Sequence, residues 1–433
     1  MDPTFLAPRG VGGTHTPPPD KSITHRALML AAIAGARSRV NHALSTGDCV
    51  STRRCLESLG VKFADITDGV EVTGVGLRGF AEPGRTLDAE NSGTTTRLLS
   101  GLLAGQRVFA VLTGDESLLR RPMGRVVDPL RRMGAHIEGR EMGRFAPLCF
   151  IPGTGDLRPL SWDLPIPSAQ VKSSLLLAAL RGSGPSRIGG KTGSRDHTER
   201  MLRALGVRLE EQDSTLVVHP PGKDPPGFDA EVPGDVSSAA FFVTAALITG
   251  RDLAINGCGV NPTRCGFVEV ARRMGAAADI AEERSSLGEP VGSIMLHRGG
   301  GLRGVEVMPD EVPDLIDEIP LIAVLGLFAH GRTEVRGAAE LRVKESDRLA
   351  MIARMAESLG GKIEIFEDGF AVDGPQRLRA GAVDPQGDHR IAMAAAVAGA
   401  AISGGVKVLG FDCSRVSYPD FIRDFTSLGG EVA

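Results

Sequence analysis

The residue types able to do chemistry in this chain gather at the starts of apolar helices. The stretch "PPDKSITHRALMLAAIAG" places Asp20, Lys21 and Ser22 ahead of an apolar body, with Arg26 one turn further on. Four comparable starts carry Asn91, Gly93, Thr94 and Arg97; Ser168, Gln170 and Lys172; Asp317 and Glu318; and Asp388, His389 and Arg390. Gly234-Asp235 opens a further apolar body. Taken singly, Ser, Asp and Asn at such places read as helix caps. Lys and Arg do not, because cations normally sit at the other, negative end. A helix start offers about half a positive charge and free N–H groups. Added side-chain cations there make an anion site, for phosphate or carboxylate.

The elements that must position these residues form a repeat. Each apolar helix closes on a glycine, and a more amphipathic helix follows it. The second helices end in "CLESLG", "LRRMGA", "MLRALG", "ARRMGA", "MAESLG" and "DFTSLG". Alternating segments such as "VKFADITDGVEVTG" and "KIEIFEDGFAVDGP" come next and read as β-hairpins. A helix–strand–helix–hairpin unit thus recurs six times. The first helices, apolar all round, should be buried, and the second should cover the outside. Three units plus three predicts two similar α/β domains, residues 20–232 for the first and 233–433 for the second. The Pro/Gly-rich stretch 220–235, "PPGKDPPGFDAEVPGD", holds the break. Residues 1–19 are expected to complete the second domain. Parallel helices would turn their starts toward one interdomain cleft.

Bulk properties exclude several classes. A net charge of −4 with 24% charged residues, one Trp and one Tyr gives neither the basic surface nor the stacking platforms of a nucleic-acid binder. No apolar run is long enough to span a bilayer, and the N-terminus lacks the pattern of a signal peptide. The six cysteines (Cys49, Cys55, Cys149, Cys258, Cys265, Cys413) form no CxxC pair, and the nine histidines form no HxH or HExxH motif. The expectation is a cytoplasmic monomer that uses no metal and no organic cofactor, and binds neither nucleic acid nor membrane.

The motifs "DKSITHR", "ENSGTTTRLL", "RRPMGR", "IPSAQVKS", "SRDHTER", "LIDEIP", "RVKESDRL" and "GDHRIAM", in this order, are similar to those of the 5-enolpyruvylshikimate-3-phosphate (EPSP) synthase family. The resemblance runs from Lys21 to Pro419. It implies two domains, each of three βαβαββ units arranged as an inside-out α/β barrel. It also implies the substrates phosphoenolpyruvate and shikimate 3-phosphate.

The site residues it implies are as follows. Lys21 meets both substrates and helps move protons. Ser22, Arg26, Ser168, Ala169, Gln170, Ser194 and Lys344 bind shikimate 3-phosphate. Gly93, Arg121, Gln170, Arg348 and Arg390 bind phosphoenolpyruvate. Asp317, which could also cap its helix, accepts the 5-hydroxyl proton, and Glu345 exchanges protons with the methylene carbon. Glu345 and Arg348, spaced i, i+3, would share a face if helical. Read from their residue type, His197 and His389 are acid–base groups or orient neighbours and line the cleft.

The chain departs from the family pattern at Pro19, where relatives have Gly, at Glu340, where some carry Asn, and at Val416, where many carry a lysine for phosphoenolpyruvate. Arg415 beside it is expected to point elsewhere. Glyphosate, which takes the phosphoenolpyruvate site in this family, should therefore bind less tightly here. Two rivals differ in class. UDP-N-acetylglucosamine enolpyruvyl transferase would carry a Cys in "TGDESLLRRPMGR" and Lys-Asn at positions 21 and 22; this chain has neither. An inactive binding module of the same fold would not be expected to retain Lys21, Asp317, Glu345 and Arg390.

Overall fold

A computed structural model describes residues 2–153, 155–297 and 299–433. The chain divides into two compact units. The first comprises Pro19–Pro233 and Ser285–Glu289; the second comprises the N-terminal stretch to Pro18, Gly234–Arg284 and Pro290–Ala433.

Among the described residues, six four-stranded sheets, three in each unit, share one strand order. In the sheet of Leu87–Asp88, Ala110–Thr113, His136–Gly139 and Phe145–Ile151, the first strand runs parallel to the second. The fourth pairs antiparallel with both the second and the third, which lies at the far edge. A parallel pair needs a crossover, and the helix Gly93–Leu103 supplies it. The amphipathic helix Gly124–Arg132 links the second strand to the hairpin. Ser161–Leu164, Ser186–Gly190, Leu209–Gln212 and Thr215–Val218 repeat this plan around the helices Ala169–Ala179 and His197–Ala204.

Two sheets borrow their leading strand from far along the chain. In the first unit, Asp229–Glu231 pairs parallel with Arg37–Asn41. The Pro/Gly-rich stretch read as a linker therefore contributes a sheet strand. In the second unit, Gly13–His15 pairs parallel with Leu253–Gly259. Thr4–Leu6 lies antiparallel between Val406–Val408 and Glu431–Val432. The N-terminal stretch thus serves two sheets of the second unit.

The apolar helices are buried for the reason their sequences give. Ile319–Phe328 has no polar face, and every residue but Phe328 is buried. In Gly124–Arg132, by contrast, Val126, Val127 and Leu130 turn inward and leave Arg131 and Arg132 outside the core. Close helix packing in the first unit depends on Gly101. A Cβ there would sit 2.2 Å from the Ser174 carbonyl oxygen, so only glycine lets Gly93–Leu103 lie against Ala169–Ala179. That approach brings Arg97 and Gln170 together at the starts of the two helices.

Candidate active site

In the first unit the helix Lys21–Ala32 begins as its sequence requires. Asp20 is extended, and its Oδ1 accepts from the Ile23 N–H at 2.8 Å. Lys21, half-buried, lies 3.2 Å from Asp48 Oδ2. One turn on, Arg26 is buried, and each of its nitrogens makes a hydrogen bond: Nε donates to Thr198 Oγ1 (2.8 Å), Nη1 to the Ser22 carbonyl (2.9 Å) and Nη2 to Ser173 Oγ (2.9 Å). Burial pushes Arg26 down to about 10, with Glu199 and Asp20 opposing. His25 sits beside it, pushed down to about 3 by burial, so its ring is neutral. Its Nδ1 meets Thr52 Oγ1 at 2.7 Å; Thr52 meets Thr95 at 2.7 Å, and Thr95 donates to Ser92 Oγ at 2.7 Å.

The helix Gly93–Leu103 is capped by Ser92 rather than Asn91, and Ser92 Oγ accepts from the Thr95 N–H. Asn91 instead accepts from Arg121 Nη2 at 2.9 Å and donates to Asp115 Oδ2 at 3.2 Å. Two guanidinium groups converge on Gly93. A Cβ there would lie 2.8 Å from Arg97 Nη1 and 3.3 Å from Arg121 Nη1. Arg97 Nη1 donates to Gln170 Oε1 at 2.5 Å, and Gln170 Nε2 donates to Thr94 Oγ1 at 3.0 Å. Ser168 caps its helix, accepting from the Val171 N–H at 3.4 Å, with half-buried Ala169 beginning the helix. Ser194, buried, donates to the Thr192 carbonyl at 3.3 Å. His197 Nδ1 meets Glu289 Oε1 at 2.9 Å, both groups buried.

In the second unit one buried arginine organises the site. Arg348, 1% exposed, donates from Nε to Asp388 Oδ2 (2.9 Å), from Nη1 to Asp317 Oδ1 (3.3 Å) and from Nη2 to Glu345 Oε2 (2.6 Å). Burial alone would lower its pKa; Asp388, Glu345 and Asp317 outweigh that and raise it above the usual arginine value. Asp388 is the hub beneath. Its Oδ1 caps the helix His389–Gly399 by accepting from the Arg390 N–H at 2.9 Å, while Oδ2 also accepts from Ser346 Oγ at 2.9 Å. Lys344 Nζ stands 3.7 Å from Asp317 Oδ1. Arg390 lies 3.9 Å from Glu318 Oε1, and His389 is buried beside it. Neither carboxylate oxygen of Glu318 has a hydrogen-bond partner among the described residues.

Two sequence expectations need correction here. Asp317 does not cap its helix: the helix starts at Ile319 after Glu318, and Asp317 faces cations instead. Glu345 and Arg348 are not a helical pair, since the helix starts at Arg348 behind the extended cap Asp347. Their contact comes from the turn before it and is far from a surface ion pair. Arg415 is 71% exposed and lies 3.9 Å from Asp412, and Val416 is half-buried. Glu340 lies in the short turn of helix Ala339–Val343.

The sequence marks Arg97 and Lys172 only as helix-start cations, Glu318 only as a helix-start acid and Asp388 only as a cap, and gives no sign of Asp48. A polar residue in a helix first turn was the only signal they offered. The cysteine reading meets a physical argument: burial pushes Cys55 and Cys265 up to about 12 and Cys413 up to about 11, which keeps them as thiols. Among the described residues no three His, Cys, Asp or Glu are grouped to hold a metal ion, and no helix is long and apolar enough to cross a membrane.

Comparison with known proteins gives a consistent result. The solved structure of EPSP synthase from Acinetobacter baumannii superposes with a TM-score of 0.88 at 36% identity, covering 100% of both chains. The enolpyruvyl transferase NikO from Streptomyces tendae, at 18% identity and a TM-score of 0.79, shares the fold. A 3-phosphoshikimate 1-carboxyvinyltransferase of Pelotomaculum thermopropionicum is 47% identical over 418 residues, 95% of each chain. The family model described as EPSP synthase (3-phosphoshikimate 1-carboxyvinyltransferase) matches residues 7–425. With the helix-start cations and the carboxylates on Arg348 in place, the chain belongs to the EPSP synthase family.

Proposed function

We infer that the chain transfers the enolpyruvyl group of phosphoenolpyruvate to the 5-hydroxyl of shikimate 3-phosphate, releasing phosphate. The hydroxyl adds to C2 of the enol as the methylene carbon takes a proton, which gives a tetrahedral ketal. Elimination removes a proton from the new methyl group and expels phosphate. Both steps need a proton donor and an acceptor. The observation that supports this reading best is the pair Asp317 and Glu345, held by a single buried guanidinium. Asp317 takes the hydroxyl proton; Glu345 exchanges protons with the carbon. Arg348 orients both carboxylates and adds positive charge for the donor. Lys344 and Lys21 supply ammonium groups for anions, Lys21 serving both substrates.

The anion ligands follow the helix starts. Gly93, Arg121, Gln170 and Arg390 serve phosphoenolpyruvate, since planar guanidinium forks meet phosphate or carboxylate bidentately. Ser22, Arg26, Ser168, Ala169, Gln170 and Ser194 serve shikimate 3-phosphate, and Arg26 also donates to the Ser22 carbonyl. We take the enzyme to act as a cytoplasmic monomer. Phosphate release that depends on both substrates is the direct test; no release at saturating concentrations of both would overturn the assignment.

The donor set implies turnover without a metal. Dialysis against a chelator is expected to leave the rate unchanged, and activity lost and then restored by Mg²⁺ or Zn²⁺ would refute this.

Glyphosate sensitivity tests the anion ligands. A lost charge-assisted contact costs roughly ten- to a hundred-fold in affinity. Val416→Lys is therefore expected to tighten the inhibition constant against phosphoenolpyruvate by about that factor. Gly93→Ala should weaken inhibition and raise the KM for phosphoenolpyruvate, because the new methyl group must displace Arg97 from its place on Gln170. An unchanged constant in a well-folded Val416→Lys variant would show that position 416 does not serve the anion.

A further inference from the structure

We propose that Lys172 is a positioning residue for the phosphorylated acceptor: it locks the turn carrying Ser194 to the helix that starts at Ser168 and Gln170. The inference rests on the reading of Ser194 as a ligand of shikimate 3-phosphate.

Lys172 lies two residues beyond Gln170, and its side chain is 3% exposed. An ammonium group has three N–H donors and no acceptor. All three are taken: Nζ stands 2.7 Å from Glu199 Oε1 and donates to the Thr192 carbonyl at 2.9 Å and the Ser194 carbonyl at 3.0 Å. Lys172 therefore has nothing left with which to bind a substrate. It acts on one through the backbone of Ser194.

The turn it holds joins the strand Ser186–Gly190 to the helix His197–Ala204 and forms no regular structure of its own. The turn is also held by the Lys191 N–H, which donates to the Leu164 carbonyl at 3.0 Å, and by Thr192 Oγ1, which donates to the Ser214 carbonyl at 2.7 Å, while Ser194 Oγ reaches the Thr192 carbonyl. Among the described residues, Ser194 makes no other hydrogen bond to the Ser168 helix. Without Lys172, the backbone of Ser194 would lose its direct tie to the Ser168 helix. The anchor is also an expensive one in stability terms. A buried ion pair gains little over a well-packed apolar pair, so its use here fits a demand for geometry. Glu199 extends the same bracing. Its neighbour Thr198 receives Arg26 Nε and donates to Ser173 Oγ at 2.7 Å, which ties the Lys21, Ser168 and His197 helices together.

The test compares Lys172→Met/Glu199→Gln, which removes the ammonium without stranding a buried carboxylate, with Ser194→Ala. Shikimate 3-phosphate affinity is measured by calorimetry, and kcat and both KM values by phosphate release. Circular dichroism checks the fold. The double variant is expected to weaken shikimate 3-phosphate binding about tenfold or more, the loss of one charge-assisted contact. The kcat and the KM for phosphoenolpyruvate, read at saturating acceptor, should stay within about threefold. Adding Ser194→Ala to the double variant should cost little further, since both act on one contact. Glu199→Gln alone keeps an acceptor and both carbonyl bonds, so it should retain near-native affinity. If the double variant does not fold, Lys172→Gln is read by the same criteria. A folded double variant with native acceptor affinity overturns the positioning role while Ser194→Ala still weakens binding. An inert Ser194→Ala overturns the ligand reading and the inference with it. Equal losses in both KM values and kcat would mark a merely structural role and also overturn it.

Discussion

Replacing Glu345 by glutamine is expected to lower turnover by about a hundred- to ten-thousand-fold, the usual cost of losing a general acid or base. Shikimate 3-phosphate affinity should stay within a few-fold of native. Glutamine keeps the shape and leaves an oxygen that can accept from Arg348 Nη2, now 2.6 Å from Glu345 Oε2. Arg348 would keep Asp388 and Asp317 as charged partners, so the cluster should persist. The loss should then fall on the proton exchange at carbon and not on the architecture. Single-turnover phosphate release, with calorimetry for the acceptor, separates the two. Near-native turnover would move the carbon acid–base role to Lys21.

Asp388→Ala is expected to destabilise the second unit by about 3–5 kcal/mol, the cost of stranding one partner of a buried ion pair. Arg348 is buried and would lose its Nε acceptor, Ser346 its partner, and the helix His389–Gly399 its cap. The same group shapes acid stability. Burial pushes the Asp388 carboxyl up, but the Arg348 guanidinium and then His389 pull it back past its ordinary value of 3.8, so the net direction is down. A depressed folded-state value means that the charged form favours folding. Its contribution is complete above the ordinary aspartate range and is lost as pH falls through the lower folded value. Asp388→Asn should therefore be less stable than the native protein at neutral pH, and the gap should close toward pH 3 and below. Denaturant titrations across that range read it directly. A gap that does not depend on pH would show that Asp388 contributes as a cap and not as a charge.

How much of the site was legible depended on how local each signal was. Asp20, Ser168 and Asp388 read correctly as caps, because capping needs only one side chain and the N–H groups two or three residues ahead. The burial of the apolar helices read correctly too, since it follows from composition within one segment. Asp317 misled because its type suits a cap, while its carboxylate is drawn to Arg348 and Lys344, some thirty residues downstream in the chain. Arg348 looked like a plain substrate ligand. Only folding reveals that it first satisfies three carboxylates, two of them at the starts of other helices.

By itself the sequence determined the repeat, the two-by-three division, the helix starts that carry cations, and the motif order that marks the family. These properties are periodic or local, and a chain must encode them in consecutive residues. The tertiary structure alone decided which strands complete which sheets: Asp229–Glu231 against Arg37–Asn41, and Gly13–His15 against Leu253–Gly259. It alone made Asp388 the hub of the second unit and Lys172 the clamp on Ser194. Backbone pairing is nearly indifferent to side-chain identity, and a buried charge finds its partner by proximity in space. Neither leaves a mark in the residues adjacent in the chain.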